Sequence, residues 1–212
     1  MPSEPGGGIA PTASSPEEAA RAKEAVQSIV DLYTYIAQKQ DSHGFDEAIM
    51  RDLRLIEAHG HPGDPLSSPP VPPSPNPSTV FEFEVTPGYT NLNGVMHGGA
   101  ITTLFDMTTM LSLGPIQRQG YWEFQGGLTR TLSTSCLKGI PTGATIRIRS
   151  WVVQHGRTMA LMRCQLESMD GKTIYATGEQ HKVNVPSVPE HISMKQLMMD
   201  MKQAKSSETA KL

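Results

Sequence analysis

The segment from Gly94 to Leu113, GVMHGGAITTLFDMTTMLSL, constrains the fold more than any other part of the chain. Its composition predicts a helix that is apolar on nearly every side, and such a helix must be surrounded by other elements. Asp106 is the only formally charged side chain between His97 and Arg118. Because an isolated carboxylate is costly to bury, we expect Asp106 to be hydrogen-bonded, hydrated or functional.

Alternating polar and apolar residues predict strands on both sides of this helix. VFEFEV precedes it, and four further stretches follow it: LTRTLSTSC, TIRIRSWVVQ, TMALMRCQLES and TIYATGEQHKVNV. The Asp-Gly pair between the last two favours a hairpin. The order predicts an α+β fold in which one antiparallel sheet wraps around a long central helix. Strict alternation places Leu132 and Cys136 on one face of the first of these four strands, and Thr129 on the other.

The rest of the chain predicts an N-terminal helical extension and a linker. Ser15 is a suitable N-cap for a first helix, and a second helix is expected from Phe45 to Ala58. Eight of the 17 prolines then fall between Pro62 and Pro77, which is typical of an extended linker. The predicted segments are a disordered N-terminus (1–14), a helical extension (15–59), a Pro-rich linker (60–78), a folded domain (79–186) and a partly helical tail (187–212).

Charge and composition limit the classes of partner. With 18 basic and 21 acidic residues, and a net charge of −3, the chain has no general attraction for nucleic acid or anionic lipid. No run of about 18 apolar residues predicts membrane insertion. We expect a cytoplasmic protein, with mitochondria as the alternative, in which Cys136 and Cys164 are free buried thiols. His59 and His61 lack a third ligand, so no metal site is expected there.

The start of the central helix is the most informative site candidate. Gly98 and Gly99 follow His97, at the position where the first N–H groups of a helix lack acceptors within the helix. Glycines there let a ligand approach the backbone, and the helix dipole favours an anionic oxygen. The alternative is that the two glycines only permit close packing of the helix on the sheet.

The spacing between the two candidate groups indicates a dimer. Gly98 and Asp106 are eight residues apart, which corresponds to roughly 12 Å along a helix. Both groups would have to lie about 3 Å from one reacting carbon, which a single helix does not allow. If the two act together, Asp106 comes from a second copy whose helix runs antiparallel to the first.

Three stretches resemble the hotdog-fold acyl-CoA thioesterases, and most closely the branch of phenylacetyl-CoA thioesterases and small mammalian acyl-CoA thioesterases. They are TNLNGVMHGGAITTLFDMTTML, GGLTRTLSTSCLKG and HGRTMALMRCQLESMDGKTIYATGEQHKV, within residues 79–185. The resemblance implies a hotdog fold and hydrolysis of acyl-CoA in lipid metabolism without a cofactor. It also implies a homodimer that pairs into a tetramer.

The resemblance also implies roles for individual residues. Gly98 would polarise the thioester carbonyl through its N–H, and Asp106 of the opposite subunit would act as base or nucleophile. Asn91 matches the family Asn before the helix, and Thr129 falls where a Ser or Thr positions the attacking water. His97 is a further candidate for the catalytic set, although a structural role at the helix start is the alternative.

Substrate-binding residues are expected on the helix and at the ends of strands. Gly99, Phe105 and Met110 would contact the acyl group, unless the two large side chains are simply core. Arg130, Lys138 and Arg157 are candidates for contacts with coenzyme A. The loop CLKGIP replaces the family's aromatic-Leu-Arg-Pro sequence, so the coenzyme contacts follow the family less closely than the hydrolytic residues do.

Three other functions are alternatives to a thioesterase. A hotdog protein of this kind could bind acyl-CoA or another small ligand without turnover. A hotdog hydratase would require an Asp-x₄-His element, which the sequence lacks. An interaction protein would use the N-terminal helices and the linker instead of the helix start.

Overall fold

The computed structural model of the chain describes residues 14–39, 44–118, 120–122 and 127–185. The helices are α1 (Pro16–Lys39), α2 (Glu47–Asp52) and α3 (Gly98–Ser112). The strands are β1 (Arg54–His59), β2 (Ser78–Glu84), β3 (Leu128–Cys136), β4 (Thr145–His155), β5 (Met159–Ser168) and β6 (Ile174–Val183). Short 3₁₀ turns cover Pro87–Tyr89 and Gly114–Ile116. The predicted C-terminal tail, and the predicted disordered N-terminus apart from residue 14, lie outside the described residues.

The described strands form one antiparallel sheet in the order β1-β2-β4-β5-β6-β3. The chain crosses from β2 through α3 to β3 at the far edge, and the last three strands then fill the middle. The sheet and central helix predicted from the alternation are therefore confirmed, including the tight turn between β5 and β6. Within the described ranges, no helix combines the length and apolar character needed to cross a bilayer.

The core lies between α3 and one face of the sheet. Apolar residues of β2, β4, β5 and β6 cover that face, and nine residues of α3 are buried against them. The ring of Phe105 lies against Gly178 of β6, where a Cβ would come within 2.7 Å of Cδ2 of the ring and of the Cys164 sulfur. Close approach of helix and strand at this point therefore depends on the absence of a side chain at Gly178.

The helix predicted from Phe45 to Ala58 is wrong in its second half. α2 ends at Asp52, Leu53 is extended (φ −80°, ψ 123°), and β1 follows it and pairs with β2. Leu55 and Ala58 of β1 are buried. Nothing in the local sequence breaks the helix, so pairing with β2 decides the conformation. The part of the chain before the linker therefore contributes an edge strand to the sheet.

Helix α1 begins where its sequence predicted and packs on the same core. Ser15 and Glu18 form a capping box, in which each side chain accepts the backbone N–H of the other. The apolar side of α1 meets the turn after α3: a Cβ at Gly114 would lie 2.9 Å from Val26 and 3.0 Å from Ile29. The N-terminal helix is thus part of the core around α3.

The Pro-rich segment is attached to the sheet. Asp64 and Val71 form an isolated bridge within it, and the side-chain amide of Asn76 donates to the Val152 carbonyl at 3.1 Å. The ring of His155 on β4 contacts the Ser74 carbonyl at 2.8 Å. These contacts hold the segment against β4.

The two cysteines differ in exposure. Cys164 is buried beneath Phe105, as predicted, and burial raises the pKa of its thiol. Cys136 is exposed, so the prediction that it is buried is wrong. It is the last residue of β3, the edge strand, where fewer neighbours cover a side chain.

Shortening a buried side chain of α1 will test whether this helix belongs to the core. Ile29 is 4% exposed, so Ile29→Ala is expected to lower the free energy of unfolding by about 2–5 kcal/mol in urea denaturation. Glu24→Ala, on the exposed side of the same helix, is the matched control and should change it by less than about 0.5 kcal/mol. Equal effects of the two substitutions would contradict the packing described for α1.

Candidate active site

The start of α3 is organised by His97. His97 is the N-cap (φ −69°, ψ 137°), and its Nδ1 accepts the Gly99 N–H at 2.9 Å. An Nδ1 that accepts a hydrogen bond carries no proton, so in the neutral ring the proton is on Nε2. The contact engages the Gly99 amide, and it occupies the nitrogen through which His97 would act as a base at this point. His97 thus has the structural contact expected as the alternative to catalysis.

The N–H of Gly98 is open. Among the described residues no acceptor lies within hydrogen-bond distance of it, and a Cβ added at Gly98 would meet nothing within 4 Å. Neither packing within the chain nor an unusual φ explains a glycine there. The position instead leaves a backbone donor with space in front of it at the positive end of the α3 dipole.

Asp106 projects from the middle of α3 towards β3 and β6 and is partly exposed. Its Oδ1 accepts the Thr129 hydroxyl at 2.8 Å and the side-chain amide of Gln180. Among the described residues, Oδ2 has no hydrogen-bond donor. The carboxylate is therefore held on one side and open on the other.

A β-bulge brings Thr129 to Asp106. The pairing of β3 with β6 shifts register between Thr129, opposite Lys182, and Thr131, opposite His181. The extra residue, Arg130, reverses the alternation, so that Thr129 contacts the same helix as Thr134 further along the strand. The prediction that Thr129 lies on the face opposite Leu132 and Thr134 is wrong for this reason.

Two residues that the sequence analysis did not select complete the cluster. Gln180 is fully buried, and its side-chain amide also contacts Thr129 Oγ1 at 2.9 Å. Lys182 is 4% exposed, and its ammonium donates to the same oxygen at 3.1 Å. Both follow Ala176 and Gly178 at intervals of two, so they are polar residues on the core-facing side of β6. Polar residues at core-facing positions of a predicted strand are the sequence signal from which these two residues could have been predicted.

The environment of Lys182 opposes its charge. Burial lowers the pKa of Lys182, and the Asp106 carboxylate partly offsets this by favouring the ammonium form. Among the described residues, Asp106 is the charged group that raises the pKa of Lys182. The cluster therefore contains a carboxylate and a buried cation bridged by Thr129.

The remaining candidates for catalysis and acyl binding occupy two environments. Asn91 lies in the loop before α3, and its side-chain oxygen accepts the Asn93 N–H at 2.9 Å, which stabilises the turn. Phe105 and Met110 lie in the core cluster, at 0% and 8% exposure. In the single chain, packing accounts for both large side chains.

The basic candidates are not brought together within one chain. Arg130, Lys138 and Arg157 are all exposed. Lys138 follows the end of β3 next to the loop before α3, since Met96 N–H donates to the Ile140 carbonyl. Arg157 lies in the turn between β4 and β5, at the end of the sheet where β3 begins. The nine residues of β3 separate Lys138 from Arg157 by roughly 25–30 Å.

Within the described part of the chain, no group of three His, Cys, Asp or Glu side chains is arranged to hold a metal ion. His59 lies near Glu57, with 3.6 Å between Nε2 and the carboxylate. The chemistry that this site can supply from its own groups is an open amide donor and a partly held carboxylate.

Two comparisons with known proteins concern the sequence of the chain. Residues 93–175 match the family model described as Thioesterase superfamily. A Caenorhabditis elegans protein described as a "putative esterase" is 27% identical over 110 residues, which are 52% of this chain and 62% of that protein. The matched region thus spans less than two thirds of that relative.

A solved structure shows the same fold. The crystal structure of zebra fish thioesterase superfamily member 2 superposes with a TM-score of 0.53 at 22% identity, and the match covers 69% of this chain and 91% of that one. The hotdog fold predicted from the resemblance is therefore confirmed, as is the resemblance itself at the level of the superfamily.

The lowered pKa of Lys182 predicts a pH-dependent stability. Between that pKa and the unfolded value of about 10.4, the unfolded chain binds a proton that the folded chain does not, so stability rises with pH. Wild type should therefore gain stability relative to Lys182→Met as the pH rises through this window, as measured by urea denaturation at a series of pH values.

Lys172→Met, in an exposed turn, is the control for the loss of a lysine charge as such. A stability difference between wild type and Lys182→Met that stays constant over the window would contradict the assigned burial of the ammonium.

Proposed function

We propose that the protein hydrolyses acyl-CoA to the free acid and coenzyme A; the match of residues 93–175 to the family model described as Thioesterase superfamily supports this proposal. The observation that carries the proposal is that one helix presents both an open Gly98 N–H and an Asp106 carboxylate whose Oδ2 has no donor among the described residues. The first suits the developing oxyanion of a thioester, and the second suits a water proton.

Each group has one task in the reaction. The Gly98 N–H stabilises the negative charge that develops on the carbonyl oxygen. Oδ2 of Asp106 takes a proton from water as the water oxygen bonds to the carbonyl carbon. The carbon–sulfur bond then breaks, its electron pair leaves with the sulfur, and the thiolate requires little assistance. Direct attack by Asp106 to form an anhydride is the alternative route.

The active unit is a homodimer in this proposal. The eight residues between Gly98 and Asp106 separate them by roughly 12 Å along α3. The Gly98 end of α3 and the free edge of β3 supply a surface for a second copy, since β3 pairs only with β6 among the described strands. A two-fold axis there sets the Gly98 of one subunit next to the Asp106 of the other, in two equivalent sites.

The same axis gives the basic candidates a common location. Lys138 lies near the start of α3, whereas Arg157 lies at the end of the sheet where β3 begins, the end from which Thr129 contacts Asp106. Antiparallel pairing therefore brings Lys138 of one subunit towards Arg157 of its mate at each site. Contacts of these two residues with the coenzyme, and of Phe105 and Met110 with the acyl group, remain predictions, as does a tetramer.

Proline at position 98 will test the oxyanion donor. Proline is tolerated at the first position of a helix, His97 already has the extended conformation that a following proline requires, and a Cβ added at Gly98 meets nothing within 4 Å. Gly98→Pro should therefore remove the N–H without unfolding the chain and lower kcat by about 10²–10³-fold. Thiol release would be measured with short, long and aromatic acyl-CoAs.

Gly98→Ala is the matched control because it keeps the N–H, and it should retain most of the activity. Equal loss in both variants would indicate a steric effect and contradict the donor role. No thiol release by wild type from any acyl-CoA would instead favour a non-catalytic binding protein.

Mixed dimers will test the shared site. Asp106→Asn and Gly98→Pro chains should each be inactive alone, whereas a mixed dimer contains one site with both wild-type groups. After dissociation and random reassociation of equal amounts, about one quarter of wild-type activity should return. Activity that does not recover, although mixed dimers are detected by mass spectrometry, would show that one chain supplies both groups.

A further inference from the structure

We propose that Gln180 and Lys182 are positioning residues for Asp106: they hold its Oδ1 side and the Thr129 hydroxyl, so that Oδ2 faces the substrate water. This inference rests on the proposed function. It assigns two residues that neither the motif around α3 nor its spacing indicates, and it is carried by the hydrogen-bonding capacity of the four groups.

The Thr129 hydroxyl has no capacity left for water. A hydroxyl has one proton and two lone pairs. The proton goes to Asp106 Oδ1, because an ionised carboxylate only accepts. The lone pairs receive the Gln180 amide at 2.9 Å and the Lys182 ammonium at 3.1 Å. In this structure Thr129 therefore orients the carboxylate instead of the water.

The orientation of the Gln180 amide is determined by Asp106. Its nitrogen must face Asp106, since an amide oxygen against a carboxylate would be repelled. Its oxygen then faces the fully buried Thr109 hydroxyl, one turn further along α3, whose single proton is shared between this oxygen and the Phe105 carbonyl. Gln180 thus connects two positions of α3 and fixes where Oδ1 lies relative to the helix.

Packing alone does not explain a lysine at position 182. A buried ammonium loses its hydration, and an apolar side chain of similar volume would often stabilise a core equally well or better. Its single hydrogen bond within the described residues goes to Thr129, which in turn donates to Asp106. The cation therefore holds the shared hydroxyl in the one orientation that donates to Oδ1.

The consequence for the reaction is that the two carboxylate oxygens differ. Oδ1 has two donors from the chain, whereas Oδ2 has none among the described residues. A water proton is therefore transferred to Oδ2, while the water oxygen bonds to the carbonyl carbon. Misplacement of such a group by about 1 Å can cost about 10²-fold in rate.

Substitutions that keep the volume of the side chain test the two residues. Lys182→Met and Gln180→Met should each lower kcat by about 10–100-fold with little change in KM, because they alter the base and not the binding of acyl-CoA. Lys172→Met is the matched control and should leave both constants unchanged. If Lys182→Met does not fold by circular dichroism, Lys182→Gln replaces it and should still lower kcat.

A pH profile separates positioning from a general loss of structure. Gln180→Glu places a second carboxylate against Asp106, and two touching carboxylates retain one proton between them. While that proton is present, the new side chain can donate as the amide did. The ratio of kcat for Gln180→Glu to kcat for wild type should therefore fall as the pH rises, whereas the ratio for Gln180→Met should be flat.

The other neighbours of Gln180 do not titrate. Met162 of β5 and Leu132 of β3 occupy the register positions beside it, so Asp106 and Lys182 are the charged groups that face it among the described residues. A fall in the ratio with pH is therefore assigned to the new carboxylate in this cluster.

The outcomes distinguish this inference from the proposed function. If wild type releases thiol but the variants at Gln180 and Lys182 match it, or if the Gln180→Glu ratio is independent of pH, the positioning role is wrong and the thioesterase proposal stands. If wild type releases no thiol from any acyl-CoA, the positioning role fails together with the function on which it rests.

Discussion

The structure depends on the burial of α3 together with its one carboxylate. Because α3 is apolar on nearly every side, other elements must cover it, and nine of its residues are buried. Asp106, however, needs hydrogen-bond donors that an apolar face does not provide. The donors come from the edge of the sheet, where Gln180 of β6 and Thr129 at the bulge in β3 both donate to Asp106 Oδ1. The fold and the candidate site are thus two results of burying one helix.

The elements before the linker extend the same core. α1 approaches the turn after α3 so closely that Gly114 has no room for a side chain, and β1 lengthens the sheet beside β2. Removal of these elements would expose the C-terminal end of α3 as well as an edge of the sheet. Their contribution to any activity is therefore inseparable from their contribution to stability.

The sequence predicted those features that depend on local patterns. The apolar helix, the strands around it, the N-cap at Ser15 and the importance of Asp106 all follow from periodicity or from the chemistry of single residues. Three features depend on pairing between distant segments: the strand β1, the bulge at Arg130, and the cluster of Gln180 and Lys182 around Asp106. Alternation predicted the wrong face for Thr129 because a bulge leaves no pattern in one strand alone.

The two halves of the candidate site lie at opposite ends of one line across the molecule. Gly98 and Lys138 lie at one end, and Asp106 and Arg157 lie at the other, because α3 runs antiparallel to β3, with Thr102 opposite Thr134 and Asp106 opposite Thr129. A two-fold axis near the middle of this line necessarily superimposes each end on its complement. In the proposed homodimer, one rotation would therefore bring the proposed oxyanion donor, the proposed base and the basic residues together. This requirement constrains where the proposed dimer interface would lie more tightly than the open edge of β3 does alone.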